Sequence, residues 1–215
     1  MNENIKPLSA IREEYCTQEL LENKVNKDPI IQFEKWINEA IDSHVKEPTA
    51  MSLCTVSETG RPSNRIVLLK NISVHGLTFF TNYNSKKGRQ LGVNPFVAAT
   101  FFWPELERQV RIEGLTTKVS REETEMYFHS RPRGSQIGAW VSHQSESVSK
   151  EALLARLKEE EIKWTDKEIE CPPYWGGFLL KPDFFEFWQG RPCRLHDRIS
   201  YAKETDSWKI GRLSP

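Results

Sequence analysis

The chain has 215 residues, of which 38% are hydrophobic and 28% charged. That suits one folded domain with a real core, or such a domain with a small helical appendage. Lys+Arg and Asp+Glu both number 30, so the formal net charge is zero, and nothing in the bulk charge draws the protein toward nucleic acid or an anionic membrane. A local basic pocket remains compatible with that sum. No apolar run of about 18 residues predicts a membrane span. Residues 1–10 are polar and lack the apolar centre of a signal peptide, so a cytoplasmic location is expected. Cys16, Cys54, Cys171 and Cys193 are scattered without a CxxC pair; they read as reduced thiols, and no metal site is expected.

In chain order, residues 1–27 read as a polar arm with one short helix around Ile11–Leu21, and residues 28–215 as a single domain. Asp28-Pro29 has the form of an N-cap and first helical position. Ile30, Phe33, Ile37, Ala40 and Ile41 follow at helical spacing and predict one apolar face. Ala50–Val56 and Ser63–Lys70 read as strands around a turn at residues 58–62. A turn at His75-Gly76 leads to a strand over Leu77–Thr81. Ser85 caps a short helix reaching Leu91. Phe96–Trp103 and Gln109–Val119 are two more strands, and Ser120 with Glu123 forms a capping box for a helix running to His129. A loop and short helix occupy residues 130–141, and a charged surface helix residues 149–164. Terminal strands are predicted at Trp175–Leu180, Phe184–Gln189, Ile199–Lys203 and Trp208–Leu213. Many short strands with inserted helices predict a β-barrel with helical additions.

Four segments carry candidate chemistry. In SNRIVLLK (63–70), strand alternation puts Arg65, Val67 and Leu69 on one face, a cation among apolar neighbours. Lys70 has the opposite parity, so it shares a site with Arg65 only if the strand bends. Equally, both cations could point to water from an edge strand. In TNYNSKK (81–87), a strand end meets a helix start carrying Lys86 and Lys87, a reasonable phosphate seat. In 129–140, Arg131 and Arg133 flank a stiffening proline, Ser135 follows, and Tyr127 precedes Arg131 by one helical turn. Guanidinium and hydroxyl groups converging on a rigid turn suit an anion. In 188–198, Arg194, His196 and Arg198 alternate beside Trp188, so an extended backbone would aim all three to one side, toward a planar electron-rich ligand. The plainer readings are a structural histidine at His196 and an Asp197 that merely pairs with a neighbouring arginine.

The strings RIVLLK (65–70), ERQVRIEG (107–114), YFHSRPRGSQIGAW (127–140), SHQS (142–145), WGG (175–177), EFWQG (186–190) and RLHDR (194–198), with the ending WKIGRLSP, closely resemble the pyridoxamine 5′-phosphate oxidase family over nearly the whole chain from Ile11 onward. The resemblance implies an α+β, predominantly β fold, a split β-barrel with added helices. It implies a homodimer that binds FMN across the subunit interface and oxidises pyridoxine or pyridoxamine 5′-phosphate with oxygen. By match to the family's motifs, Arg65, Ile66, Val67, Leu68, Leu69, Lys70, Phe80, Thr81, Lys86, Lys87, Gln109, Gln144, Ser145, Trp188 and Arg198 would contact FMN. Lys70, Tyr127, Arg131 and Ser135 would hold the substrate phosphate. Arg194, Leu195 and His196 would cover the substrate ring, with Arg194 and His196 as the catalytic pair. Arg12, Glu13, Glu14 and Tyr15 would form an N-terminal lid. Two rival expectations are a non-catalytic FMN or pyridoxal-phosphate binding protein and a flavin reductase acting on another substrate.

Overall fold

A computed structural model describes Tyr15 and residues 18–215. Its elements in order are α1 (Pro29–Asp42), β1 (Ala50–Val56), β2 (Pro62–Leu68), β3 (Asn71–Ser73), β4 (Gly76–Asn82), α2 (Lys86–Val93), β5 (Phe96–Trp103), β6 (Arg108–Lys118), α3 (Arg121–Ser130), α4 (Arg133–Val141), α5 (Lys150–Lys163), β7 (Trp175–Gln189), β8 (Asp197–Lys203) and β9 (Trp208–Arg212). The architecture is α+β and predominantly β, as expected. No helix among the described residues is long and apolar enough to cross a membrane.

Contacts divide the chain into two compact units. The first comprises the described part of Met1–Pro48 with Phe102–Arg111 and Phe185–Pro215. Here Asp28 accepts a hydrogen bond from the Ile30 N–H and starts α1. The helix buries Ile30, Phe33, Trp36, Ile37 and Ala40. Trp36 meets Phe187 edge-on at 5.1 Å, and Phe187 meets Tyr201 at 5.5 Å. Ile41, expected on that face, is 49% exposed. In this unit β8 pairs with β7 and with β9. Of the expected helix around residues 11–21, the described residues 18–21 are not helical; Arg12, Glu13 and Glu14 lie outside the described residues.

The second unit comprises Thr49–Phe101 and Ile112–Phe184. Its strands follow the order β2-β1-β5-β6-β7-β4-β3. Antiparallel β1 and β2 place Leu53 opposite Arg65, and β4 and β7 place Phe80 opposite Gly177 and Asn82 opposite Trp175. Met51, Leu53, Val97, Ala99, Phe101, Leu77 and Phe79 are buried at alternate strand positions. The serine caps predicted at Ser85 and Ser120 hold, accepting from the N–H groups of Gly88 and Glu123, and Ser149 caps α5 in the same way through the Ala152 N–H. Two strand expectations are corrected. The strand at 63–70 ends at Leu68, before Lys70, and β3 follows. The two strands expected at 175–189 are one, β7, which runs through Pro182; a proline fits a strand wherever no ladder N–H is required.

Candidate functional site

A cavity of about 620 Å³ opens in the second unit. Strand β2 and the turn after it supply Ile66, Val67, Leu68 and Lys70. β4 supplies Phe80, Thr81 and Asn82, α2 supplies Lys87, and β7 supplies Trp175. Tyr127 and Arg131 come from α3 and its C-cap, and Ser135, Gly138 and Ala139 from α4. Ser142 and Gln144 complete the wall, with Pro132. Among the described residues three cations line the cavity and no aspartate or glutamate does. In a chain of zero net charge that imbalance marks an anion site.

Lys87 is buried at the start of α2. Its Nζ donates to Thr81 Oγ1 at 2.7 Å and Gln144 Oε1 at 2.9 Å. Burial, and then the Arg65 charge, push its ammonium down to about 8. At the α2 N-terminus, where backbone N–H groups have no acceptor within the helix, that of Lys86 donates to Ser145 Oγ and that of Gly88 to Ser85 Oγ, both at 3.1 Å. Arg65 stands behind this seat and does not line the cavity. It donates to the Leu53 carbonyl, Thr55 Oγ1 and Ser63 Oγ at 3.0, 2.7 and 2.7 Å. The parity problem at Arg65 and Lys70 is thereby resolved: β2 ends between them, so only Lys70 of the two reaches the cavity wall.

Of the arginines flanking Pro132, only Arg131 lines the cavity; Arg133 turns to the carbonyls of Trp164 and Lys167. Arg131 lies over the Trp175 ring at 4.6 Å and the Phe128 ring at 5.7 Å. Its Nη1 is buried with no hydrogen-bond partner among the described residues, and burial lowers its pKa. An unpartnered buried guanidinium nitrogen is costly in a folded chain, and an arriving anion would satisfy it. Tyr127 stacks on Phe80 at 4.0 Å.

The first unit holds a separate cluster. Trp188 and His196 lie 4.7 Å apart, and Tyr15 meets them edge-on at 5.7 and 5.6 Å. Gly190 permits this approach, since a Cβ there would stand 2.8 Å from the Tyr15 side chain. His196 Nδ1 accepts from the Arg191 backbone N–H at 3.1 Å, which in the neutral ring leaves the proton on Nε2. Burial and the neighbouring Arg194 lower its pKa. The expected alternation of Arg194, His196 and Arg198 is corrected. Pro192–Arg194 is a tight turn, with Cys193 at φ +56° and Arg194 at φ +61°, and the extended strand begins only at Asp197. Arg194 and Leu195 are exposed. Arg198 forks onto Glu186 through Nε and Nη2 at 2.9 and 3.0 Å, and Nη1 donates to the Ser214 carbonyl. Asp197 pairs with Arg212 at 2.6 Å, the plainer of its two readings. Gln109 is half-buried on β6.

Trp175, which floors the Arg131 seat, and Glu186, which is 2% exposed and holds both Arg198 and Arg111, were not singled out in the sequence as site residues. Both lie on β7, and only pairing distant in sequence brings them to their partners.

The sequence matches a family model described as pyridoxamine 5′-phosphate oxidase over residues 37–164, and one described as pyridoxine 5′-phosphate oxidase C-terminal dimerisation region over residues 175–215. It is 52% identical over 209 residues to the pyridoxine/pyridoxamine 5′-phosphate oxidase of Haemophilus influenzae, covering 97% of this chain and 99% of that protein. It is 48% identical over 209 residues to the corresponding protein of a Cyanothece species, covering 97% and 98%. Among solved structures, PhzG from Burkholderia lata in complex with tetrahydrophenazine-1-carboxylic acid is similar at a TM-score of 0.86 and 30% identity, with 92% of this chain and 98% of that one covered. An FMN-binding protein of Nostoc punctiforme related to pyridoxamine 5′-phosphate oxidase shares the fold at a TM-score of 0.71 and 18% identity, covering 89% and 100%.

Proposed function

The chain belongs to the pyridoxine/pyridoxamine 5′-phosphate oxidase family, and from that premise we infer that the cation-lined cavity holds two phosphorylated ligands, FMN and the B6 vitamer. The enzyme oxidises pyridoxine 5′-phosphate or pyridoxamine 5′-phosphate with oxygen, giving pyridoxal 5′-phosphate and hydrogen peroxide, with ammonia from the amine. The fold is the split β-barrel with added helices. The match of residues 175–215 to a dimerisation region supports a homodimer, and FMN at the subunit interface belongs to the same proposal.

The observation that carries the proposal is a cavity lined by Lys70, Lys87 and Arg131, with no carboxylate among the described residues. The donor set fits FMN: an ammonium, a threonine hydroxyl and a glutamine amide beside a helix N-terminus suit its phosphate. Lys87 and Thr81 would hold that phosphate, with Lys86, Gln144 and Ser145 around it and the Arg65–Lys70 segment along one side. Gln109, Trp188 and Arg198 would face the flavin ring. What FMN supplies when bound is a two-electron acceptor that oxygen can reoxidise. Arg131, Tyr127, Ser135 and Lys70 would grip the substrate phosphate. Arg194, Leu195 and His196 would cover the substrate ring. A neutral His196 whose Nδ1 accepts from backbone is held in one tautomer, ready to donate from Nε2. Tyr15 would close over the ring with residues 12–14.

Two outcomes test these roles. Arg194→Ala is expected to lower turnover with flavin retained, by absorbance and assay; loss of flavin would place Arg194 against the cofactor instead. The second concerns Lys87. Its folded pKa of about 8 lies below the usual 10.5, so the cost of keeping it charged is present below about pH 8 and relieved as pH rises toward 10.5. The flavin-free protein is therefore expected to gain slightly in stability across that window, while FMN affinity falls because the neutral amine no longer meets phosphate. Thermal melting and flavin titration at several pH values check both signs. Parallel changes in the two would contradict the assignment.

A further inference from the structure

Arg131 is the cavity's guanidinium, yet among the described residues no carboxylate pairs with it, whereas Arg108, Arg111, Arg121, Arg198 and Arg212 each have one. Its position is set by rings. Trp175, 7% exposed, lies 4.6 Å beneath the guanidinium. The same indole runs nearly parallel to Phe80 (5.5 Å, 13°) and to Tyr127 (6.1 Å, 11°), and Phe80 stacks on Tyr127 at 4.0 Å.

We propose that Trp175, backed by Phe80, is a positioning residue that sets both Arg131 and Tyr127 for the substrate phosphate, and so governs discrimination between phosphorylated and unphosphorylated vitamers. This rests on the reading of Arg131 as the substrate-phosphate residue. A flat indole fixes the guanidinium plane and still leaves its edge nitrogens free for an anion. A carboxylate in that position would fix the arginine equally well but would neutralise it and compete with phosphate. Gly177 belongs to the same device. A Cβ there would stand 2.7 Å from Val119 Cγ2 and 2.8 Å from the Phe80 ring, so a larger residue would displace the Phe80 ring from its stack unless Val119 alone gave way.

The experiment compares Trp175→Phe, Trp175→Leu, Gly177→Ala and Arg131→Ala by flavin content, KM and kcat for pyridoxine 5′-phosphate, inhibition by inorganic phosphate, and turnover of unphosphorylated pyridoxine. Trp175→Leu is expected to raise KM and the phosphate inhibition constant together by about 10-fold. Trp175→Phe should recover most of that loss, flavin should stay bound, and in Trp175→Leu the preference for phosphorylated over unphosphorylated pyridoxine should narrow. Gly177→Ala, which deletes no ring, should move KM in the same direction and covers the case in which Trp175→Leu fails to fold. If Arg131→Ala raises KM but neither Trp175→Leu nor Gly177→Ala does, the positioning role is wrong. If Arg131→Ala itself leaves KM unchanged, the phosphate assignment beneath it is wrong.

Discussion

Replacing Glu186 by alanine is expected to destabilise the fold by about 2–4 kcal/mol and to weaken flavin retention. The carboxylate is 2% exposed and accepts from Arg198 Nε and Nη2 and from Arg111 Nη1, at 2.9, 3.0 and 2.9 Å. Each charge-assisted bond is worth about 1.5–3 kcal/mol where it is desolvated. The sum is smaller here because the two arginine side chains, 25% and 41% exposed, recover hydration when the acid is removed. Arg198 would also lose the fork that fixes its plane, so a residue proposed to face the flavin ring would become mobile. A fall in melting temperature of roughly 5–10 °C is expected for a chain of this size. Glu186→Gln, which keeps shape and acceptor but not charge, should fall between. An unchanged melting temperature in both variants would show that the two arginines are held by other contacts.

Replacing Arg131 by leucine is expected to act in the opposite sense on stability and more strongly on activity. Its buried Nη1 has no partner among the described residues, its pKa is lowered by burial, and it lies over the Trp175 and Phe128 rings. Exchanging a half-buried cation, whose buried Nη1 has no partner among the described residues, for a shorter apolar side chain removes a desolvation cost, so the ligand-free protein should melt at the same temperature or a few degrees higher. The same exchange removes the group proposed to grip the substrate phosphate. KM for pyridoxine 5′-phosphate should rise on the order of 100-fold, equivalent to about 2.7 kcal/mol, with flavin still bound. A large loss of stability with KM unchanged would make Arg131 a structural residue.

What could be read from the sequence was local. Asp28, Ser85, Ser120 and Ser149 announce helix starts because a cap acts within three residues of itself. β1 and β5 are legible because alternation reports burial directly. Failures occur where distant pairing decides. Lys181-Pro182-Asp183 resembles a break, yet β7 continues through it, with Gly114 packed so closely that a Cβ would meet the Lys181 carbonyl. The Arg194–Arg198 alternation assumed an extended chain, and two left-handed residues in succession cancel it. The proposed anion seat at Arg131, Tyr127 and Ser135 was visible as a cluster of types in one segment. Its aromatic floor was not, because Phe80, Tyr127 and Trp175 are brought together only by the β4–β7 register and the placement of α3. Which anion occupies each seat came from family resemblance, since a guanidinium or ammonium does not distinguish one phosphate ester from another.

The central claim is tested most directly by adding pyridoxine 5′-phosphate in air to the purified, FMN-loaded protein and following visible flavin absorbance, aldehyde and peroxide together. The expected result is flavin absorbance that accompanies the protein, with one pyridoxal 5′-phosphate and one hydrogen peroxide formed per substrate, and far slower turnover of unphosphorylated pyridoxine. Bound flavin with no aldehyde, or turnover indifferent to the phosphate group, would contradict it.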